Sequence, residues 1–264
     1  MKRLLLQLLI SILVIAGVWY GLSQIDFIGE TTTESIGRET EKQLGNVLLK
    51  QIELQHPRSG NDSLLTVIEN IHREICDSNS IDPKSIEIHL FDSSLINAAV
   101  IPGRQIIIFT GLLEHTENAD EFAGILAHEL AHITENHVME RLKREFGITL
   151  LMTLSGMDAG TEVISNVLRI LTTTAYSRQH EKEADEKAFE YMMETGWDPT
   201  PLANFLLRIS TKKQDGVPVP QWIQTHPDPR ERAAAIIKRS KDHALEEHAF
   251  RQVLDGDWAS LVSQ

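Results

Sequence analysis

The chain has 264 residues, 42% of them hydrophobic and 24% charged, with a formal net charge of −13. That length can bury one sizeable core, and the acidic balance weighs against nucleic acid as a partner and against adhesion to anionic lipid headgroups. A single cysteine, Cys76, excludes an internal disulfide and any metal site built from several thiolates.

Residues 4–22 form an apolar run whose distinctly polar members are Gln7 and Ser11, preceded by Lys2 and Arg3. As a helix this run would be about 28 Å long, close to the hydrocarbon thickness of a bilayer. A cleaved signal peptide and an uncleaved anchor both fit. The length of the run and Trp19-Tyr20 at its end favour the anchor, with Lys2 and Arg3 cytoplasmic and everything after residue 22 exported. Residues 1–22 are thus expected to be a signal anchor or signal peptide. Residues 23–80 are expected to hold a polar tether and two helices, over about 34–54 and 62–76, separated by His56-Pro57-Arg58-Ser59-Gly60-Asn61. Cys76 lies on a helix that also carries Leu64, Val67, Ile68, Ile71 and Ile75 and reads as a small apolar residue.

A third region, residues 81–240, opens at Asp82-Pro83. Ile86, Ile88 and Leu90 alternate with Glu87, His89 and Phe91 as in a half-buried strand. Ile101-Pro102-Gly103-Arg104 places Pro and Gly as a type II turn requires, predicting a hairpin over 97–109. Thr110-Gly111-Leu112-Leu113 then starts a short helix. Asn118 and Glu121 have capping-box spacing, which starts a long helix near Ala119, and Gly147 is expected to end it. Two apolar stretches, 148–154 and 163–171, are each too short to span a bilayer; a buried helical hairpin is expected, a membrane-dipping or gating element being the alternative. A further helix runs from Ser177 to Glu194 and closes at Gly196. After a loop over 214–220 and a segment from Trp222 to Arg232, residues 241–264 are expected to be a charged helical tail.

The long helix carries His128-Glu129-Leu130-Ala131-His132. A helix turns about 100° per residue, so His128 and His132 share a face and can hold one metal ion, with Glu129 in reach of water on that ion. The flanking residues Phe122, Ala123, Ile125, Leu126, Ala127, Leu130, Ala131 and Ile133 are apolar. Three ionisable groups set in such a helix are costly unless paired or bound to metal. Glu181-Lys182-Glu183-Ala184-Asp185 on the next helix can add a third ligand and a supporting carboxylate, and small Ala184 and Ala188 permit close approach.

The two motifs together are similar to those of the M48 family of zinc metallopeptidases. Asn97-Ala98 through Pro102-Gly103 to Thr110-Gly111-Leu112-Leu113, the Ser177-Arg178 lead-in, and Thr225-His226-Pro227 with Arg232 also match, over about residues 85–235. The resemblance implies a mostly helical α+β, zincin-like domain with a small β-sheet beside the metal helix, one Zn²⁺ per chain, and membership of the single-anchor periplasmic and mitochondrial-type branch. That branch, by resemblance, removes damaged or misassembled envelope proteins, which places the catalytic domain in the bacterial periplasm. Arg104 departs from the pattern, since relatives usually have a second glycine there.

Zinc is expected on His128, His132 and Glu181, with Glu129 activating the bound water for peptide hydrolysis. Glu181 is preferred to Glu183, which points about 200° away on the same helix. Asp185 is expected to accept a hydrogen bond from the second nitrogen of a ligand histidine; a surface ion pair with Lys182 is the alternative. His226 has two candidate roles, hydrogen bonding to the tetrahedral intermediate or occupying the open zinc position, and the first is favoured because a fourth protein ligand closes a catalytic site. The strand edge at Asn97 and Ala98 is expected to pair with an extended, unfolded substrate. His115, His137 and His180 are read as structural or solvated. A rival function is a non-catalytic binder or assembly factor using the same groove, against which the presence of Glu129 argues.

Overall fold

The computed structural model describes residues 30–156, 161–211, 220–243, 250–254 and 256–263. The chain forms two units, Met1–Glu39 and Thr40–Gln264, and the sheet and the buried core belong to the second. The expected anchor over residues 4–22 lies outside the described residues. Among those described, no helix is long and apolar enough to cross a membrane.

Helix α1 (Glu30–Glu53) buries Leu44, Leu48 and Ile52 at four-residue spacing. Helix α2 (Asp62–Ser78) starts at Asn61, whose side chain accepts from the Leu64 amide at 2.9 Å, and buries Leu64, Ile68, Ile71 and Ile75. Cys76 on the same helix is buried against His72, and burial pushes its thiol up to about 12, which leaves it unreactive.

After a 3₁₀ turn at Pro83–Ser85 come strands β1 (Glu87–Phe91), β2 (Ala98–Ile101) and β3 (Gln105–Phe109). The order is β1-β3-β2, with β1 parallel to β3 (Glu87 opposite Gln105) and β2 antiparallel to it (Ala98 opposite Ile108). Every residue of β2 and β3 is buried, because helices cover both faces. The half-buried alternation expected of β1 is lost at His89 and Phe91, which are both buried, His89 with Nε2 3.0 Å from Gln105 Oε1. In the hairpin turn Gly103 has φ +80° and Arg104 φ +57°. The left-handed backbone at 104 is the conformation that a glycine there would adopt without steric cost.

Helix α3 (Thr110–Leu113) leads to the central helix α4 (Ala119–Thr134). Asn118 caps α4 through the Glu121 amide at 2.9 Å, whereas the Glu121 carboxylate accepts from the Glu117 amide and pairs with Arg208 instead of returning to the cap residue. Gly147 does not end α4. The helix stops at Thr134, Asn136 turns left-handed with φ +59°, and α5 (His137–Gly156) begins at once; Gly147, at φ +73°, is a break inside α5. Asn tolerates that backbone region better than other non-glycine residues, so the chain can reverse there without glycine.

The remaining helices are α6 (Thr161–Thr173), α7 (Arg178–Thr195), α8 (Thr200–Thr211), α9 (Gln221–Thr225), α10 (Pro229–Asp242) and α11 (Trp258–Val262). Ser177 caps α7 and Gly196 closes it in a left-handed conformation. Buried Ala127, Ala131, Ala184 and Ala188 let α4 and α7 run side by side. Gly124 does the same for α8, since a β-carbon there would sit 2.9 Å from Leu202 Cβ. Helix α6 buries Ile164, Val167, Leu168 and Leu171. Beyond α10, the described helix of the C-terminal stretch is confined to α11, where Trp258 stacks on Phe122 and donates to Thr116 Oγ1 at 3.0 Å. Among the described residues the result is a mostly helical α+β architecture with one three-stranded sheet and α4 at its centre.

Candidate metal centre

Four buried side chains converge where α4, α7 and the segment after α9 meet: His128, His132, Glu181 and His226, with ligand atoms all within 4.8 Å of one another. His128 Nε2 lies 3.1 Å from His132 Nε2 and 3.2 Å from His226 Nδ1. Glu181 Oε1 lies 3.0 Å from His226 Nδ1 and 3.5 Å from His132 Nε2. A tetrahedron with zinc–ligand arms of about 2.0–2.1 Å has edges of about 3.3–3.4 Å, so the donor set and its spacing fit a zinc ion.

The electrostatics suit a cation. Burial holds the His132 imidazole well below its ordinary range, so it is neutral, as a ligand must be. Burial would raise the Glu181 carboxyl, but Arg232 foremost, then His226 and the hydrogen bonds from both histidines, hold it well below the usual range. Asp185 behaves alike, depressed by Arg232 and His128 against its burial.

Asp185 Oδ1 is 3.1 Å from His128 Nδ1, the nitrogen turned away from the cluster. Lys182 pairs with Glu186 and not with Asp185. Arg232 grips Asp185 with two hydrogen bonds, at 2.8 and 2.7 Å, and forms an ion pair with Glu181. It is 6% exposed. Glu183, by contrast, points outward with its side chain 42% exposed.

Glu129 is buried beside Trp222 and His226. Its Oε1 accepts from the Trp222 indole at 3.1 Å and lies 3.5 Å from His226 Nε2. Trp222 also stacks on His226, 4.6 Å between centroids. Tyr176 packs flat on His132 at 4.0 Å, with Arg141 over its other face, also at 4.0 Å. Nothing in the sequence marks Trp222, Tyr176 or His137 as site residues, and Arg232 enters only as part of a matched motif. Their spacing to the metal-binding motif carries no period. The Thr225-His226-Pro227 and Arg232 match is the one signal that the α9–α10 segment returns to the centre.

Asn97 and Ala98 are buried, and they are not brought to an open edge. Helix α6 packs beside β2, and the Trp222 amide donates to Ile96 O at 3.0 Å. Neither polar atom of the Asn97 side chain has a partner among the described residues. It lines a cavity of about 280 Å³ together with Ala99, Ile101, Phe109, Leu168 and Gln221. A groove of about 600 Å³ between α7 and α10 reaches Glu181, Asp185 and Arg232. The larger hollow between Asn61 and Trp258, about 870 Å³, holds no residue of the centre, so size alone does not mark the site.

Comparison with known proteins agrees with this geometry. The model of the family described as Peptidase family M48 matches residues 64–240. The chain is 26% identical over 223 residues to a β-barrel assembly-enhancing protease of Escherichia coli (strain K12), covering 79% of this chain and 45% of the relative. It is 25% identical over 226 residues to the protein of the same name from Yersinia pestis, covering 81% and 46%. It is 29% identical over 214 residues to the mitochondrial metalloendopeptidase OMA1 of Saccharomyces cerevisiae, covering 76% and 59%. The chain thus spans about half the length of the curated relatives it matches.

Proposed function

The chain belongs to peptidase family M48, and on that premise we propose that it is a zinc metalloendopeptidase that cleaves unfolded or misassembled envelope proteins and that its site stays latent until α9 moves. The observation that carries this reading is the four-residue cluster with Glu129 beside it. His128, His132 and Glu181 hold the metal. Zinc, when bound, lowers the pKa of water and polarises the scissile carbonyl. Glu129 takes the proton of the attacking water and hands it to the leaving amine. Arg232 and Asp185 keep Glu181 ionised and His128 in the tautomer that leaves Nε2 free for the metal.

His226 occupies the fourth corner. With Nδ1 turned to the cluster and Nε2 turned to Glu129, it fills the position that water needs and engages the base as well. This favours the fourth-ligand role over the oxyanion role that the sequence alone favours. Replacing it by alanine, His226→Ala, should raise turnover about tenfold with zinc retained, because a closed site becomes an open one. A fall in kcat of about a hundredfold would instead assign it to the oxyanion. Unchanged turnover would leave it without either role.

Substrate choice rests on backbone. That edge is covered in this structure, so pairing of an extended chain along β2 at Asn97 and Ala98 requires the same movement of α9; such a chain is then read through its amides, which suits a protease of unfolded proteins. The names of the bacterial relatives support an envelope setting, and the apolar run over residues 4–22 supports an anchor in the inner membrane with the catalytic domain on the periplasmic side. Incubation of the protein with unfolded casein, with and without a chelator, tests the whole. Fragments that disappear with the chelator are expected; binding without cleavage would favour an assembly factor.

A further inference from the structure

His132 makes a second contact on the side away from the cluster. While its Nε2 faces His128, its Nδ1 lies 2.9 Å from His137 Nδ1, and His137 Nε2 lies 3.2 Å from Glu183 Oε2. On one continuous helix residues 132 and 137 would point about 140° apart. The left-handed turn at Asn136 ends α4 early and folds the first residue of α5 back onto it.

The protons along this chain have one consistent arrangement. A neutral histidine that offers Nε2 to a metal carries its proton on Nδ1, so His132 donates and His137 Nδ1 accepts. His137 must then carry its own proton on Nε2, where the Glu183 carboxylate receives it. The rings are also held in plane. His137 is 1% exposed and lies flat on His180, 4.4 Å between centroids and 11° between planes, as His132 lies on Tyr176. That parallel stack rules out a second ion shared by His137 and His180, since lone pairs in parallel planes do not converge.

We propose that His137 is a positioning residue of the metal centre: it fixes the tautomer and ring plane of His132, backed by Glu183, as Asp185 does for His128. The proposal rests on His132 being a zinc ligand. Partners of this kind are worth about 10–100-fold in metal affinity.

The test is zinc affinity by chelator competition on the full chain. His137→Asn keeps an acceptor near the Nδ1 position, and His137→Leu keeps bulk without one. The leucine variant should bind zinc about 10–100-fold more weakly. The asparagine variant should stay within about threefold of the wild type, the amide oxygen replacing Nδ1 as acceptor. Equal affinity for wild type and leucine variant, or equal weakening in both variants, overturns the proposal. Nitrogen NMR of the zinc-loaded wild type supplies a readout that needs no variant: His132 protonated at Nδ1 and His137 at Nε2 are expected, and the opposite tautomer at His137 overturns it. Stoichiometric zinc binding by the wild type checks the ligand assignment separately.

Discussion

Glu129→Gln should keep its zinc and lose about a thousandfold in turnover, since general acid–base catalysis contributes about 10²–10⁴ and the amide accepts no proton at neutral pH. The two side chains are isosteric, and glutamine can turn its oxygen toward the Trp222 indole, which now donates to Glu129 Oε1 at 3.1 Å. Local packing is therefore preserved and only the chemistry is removed. Metal analysis beside a peptidase assay, in the wild type and in the His226→Ala background, makes the comparison. Loss of zinc would show that Glu129 is a ligand and not the base.

The second large effect separates two carboxylates on one helix. Glu181→Ala should be isolated almost without zinc, with affinity down at least about a hundredfold, because it removes a ligand. It also leaves the buried Arg232 guanidinium beside the cluster without one of its two counter-charges, so that a cation is repelled as well. Glu183→Ala should lower zinc affinity by no more than about fivefold, since that carboxylate is 42% exposed and water can take its place behind His137. Zinc content after dialysis distinguishes the two. A metal-poor Glu183 variant beside a zinc-replete Glu181 variant would move the ligand and undo the argument from helical faces.

Much of this centre is legible in the sequence because its residues obey short-range rules. Spacing of four puts His128 and His132 on one face; Asn118, Ser177 and Gly196 mark helix ends by their capping chemistry; Pro102 and Gly103 mark the hairpin turn. The end of α4 is hidden because one left-handed asparagine, followed at once by another helix, barely interrupts the apolar pattern, whereas Gly147 is a more conspicuous breaker in sequence that here falls inside α5. His137 reads as merely structural for the same reason, since its partner is reached only through that turn. Arg232, Trp222 and Tyr176 come from distant segments, and no local period predicts which arginine or tryptophan returns to a site. The parallel pairing of β1 with β3 is likewise a long-range choice, made by burial of both faces and not by either strand alone.

Trp222 holds two things at once. Its backbone amide donates to Ile96 O, at the threshold of β2, while its indole donates to Glu129. On the proposed reading, a peptide entering along that strand would compete with Trp222 for the same carbonyl, and displacing the residue there would also lift the ring from Glu129. Recognition and activation are then a single equilibrium: the affinity measured for any substrate is its affinity for the open form scaled by the fraction of molecules that are open. If one molecule in about a hundred is open, a chain that binds the open form at micromolar concentration is cleaved at half-maximal rate only near about 0.1 mM. A protease gated in this way would ignore dilute, transiently frayed proteins and respond to chains that stay extended and accumulate, a filter set by occupancy and not by sequence.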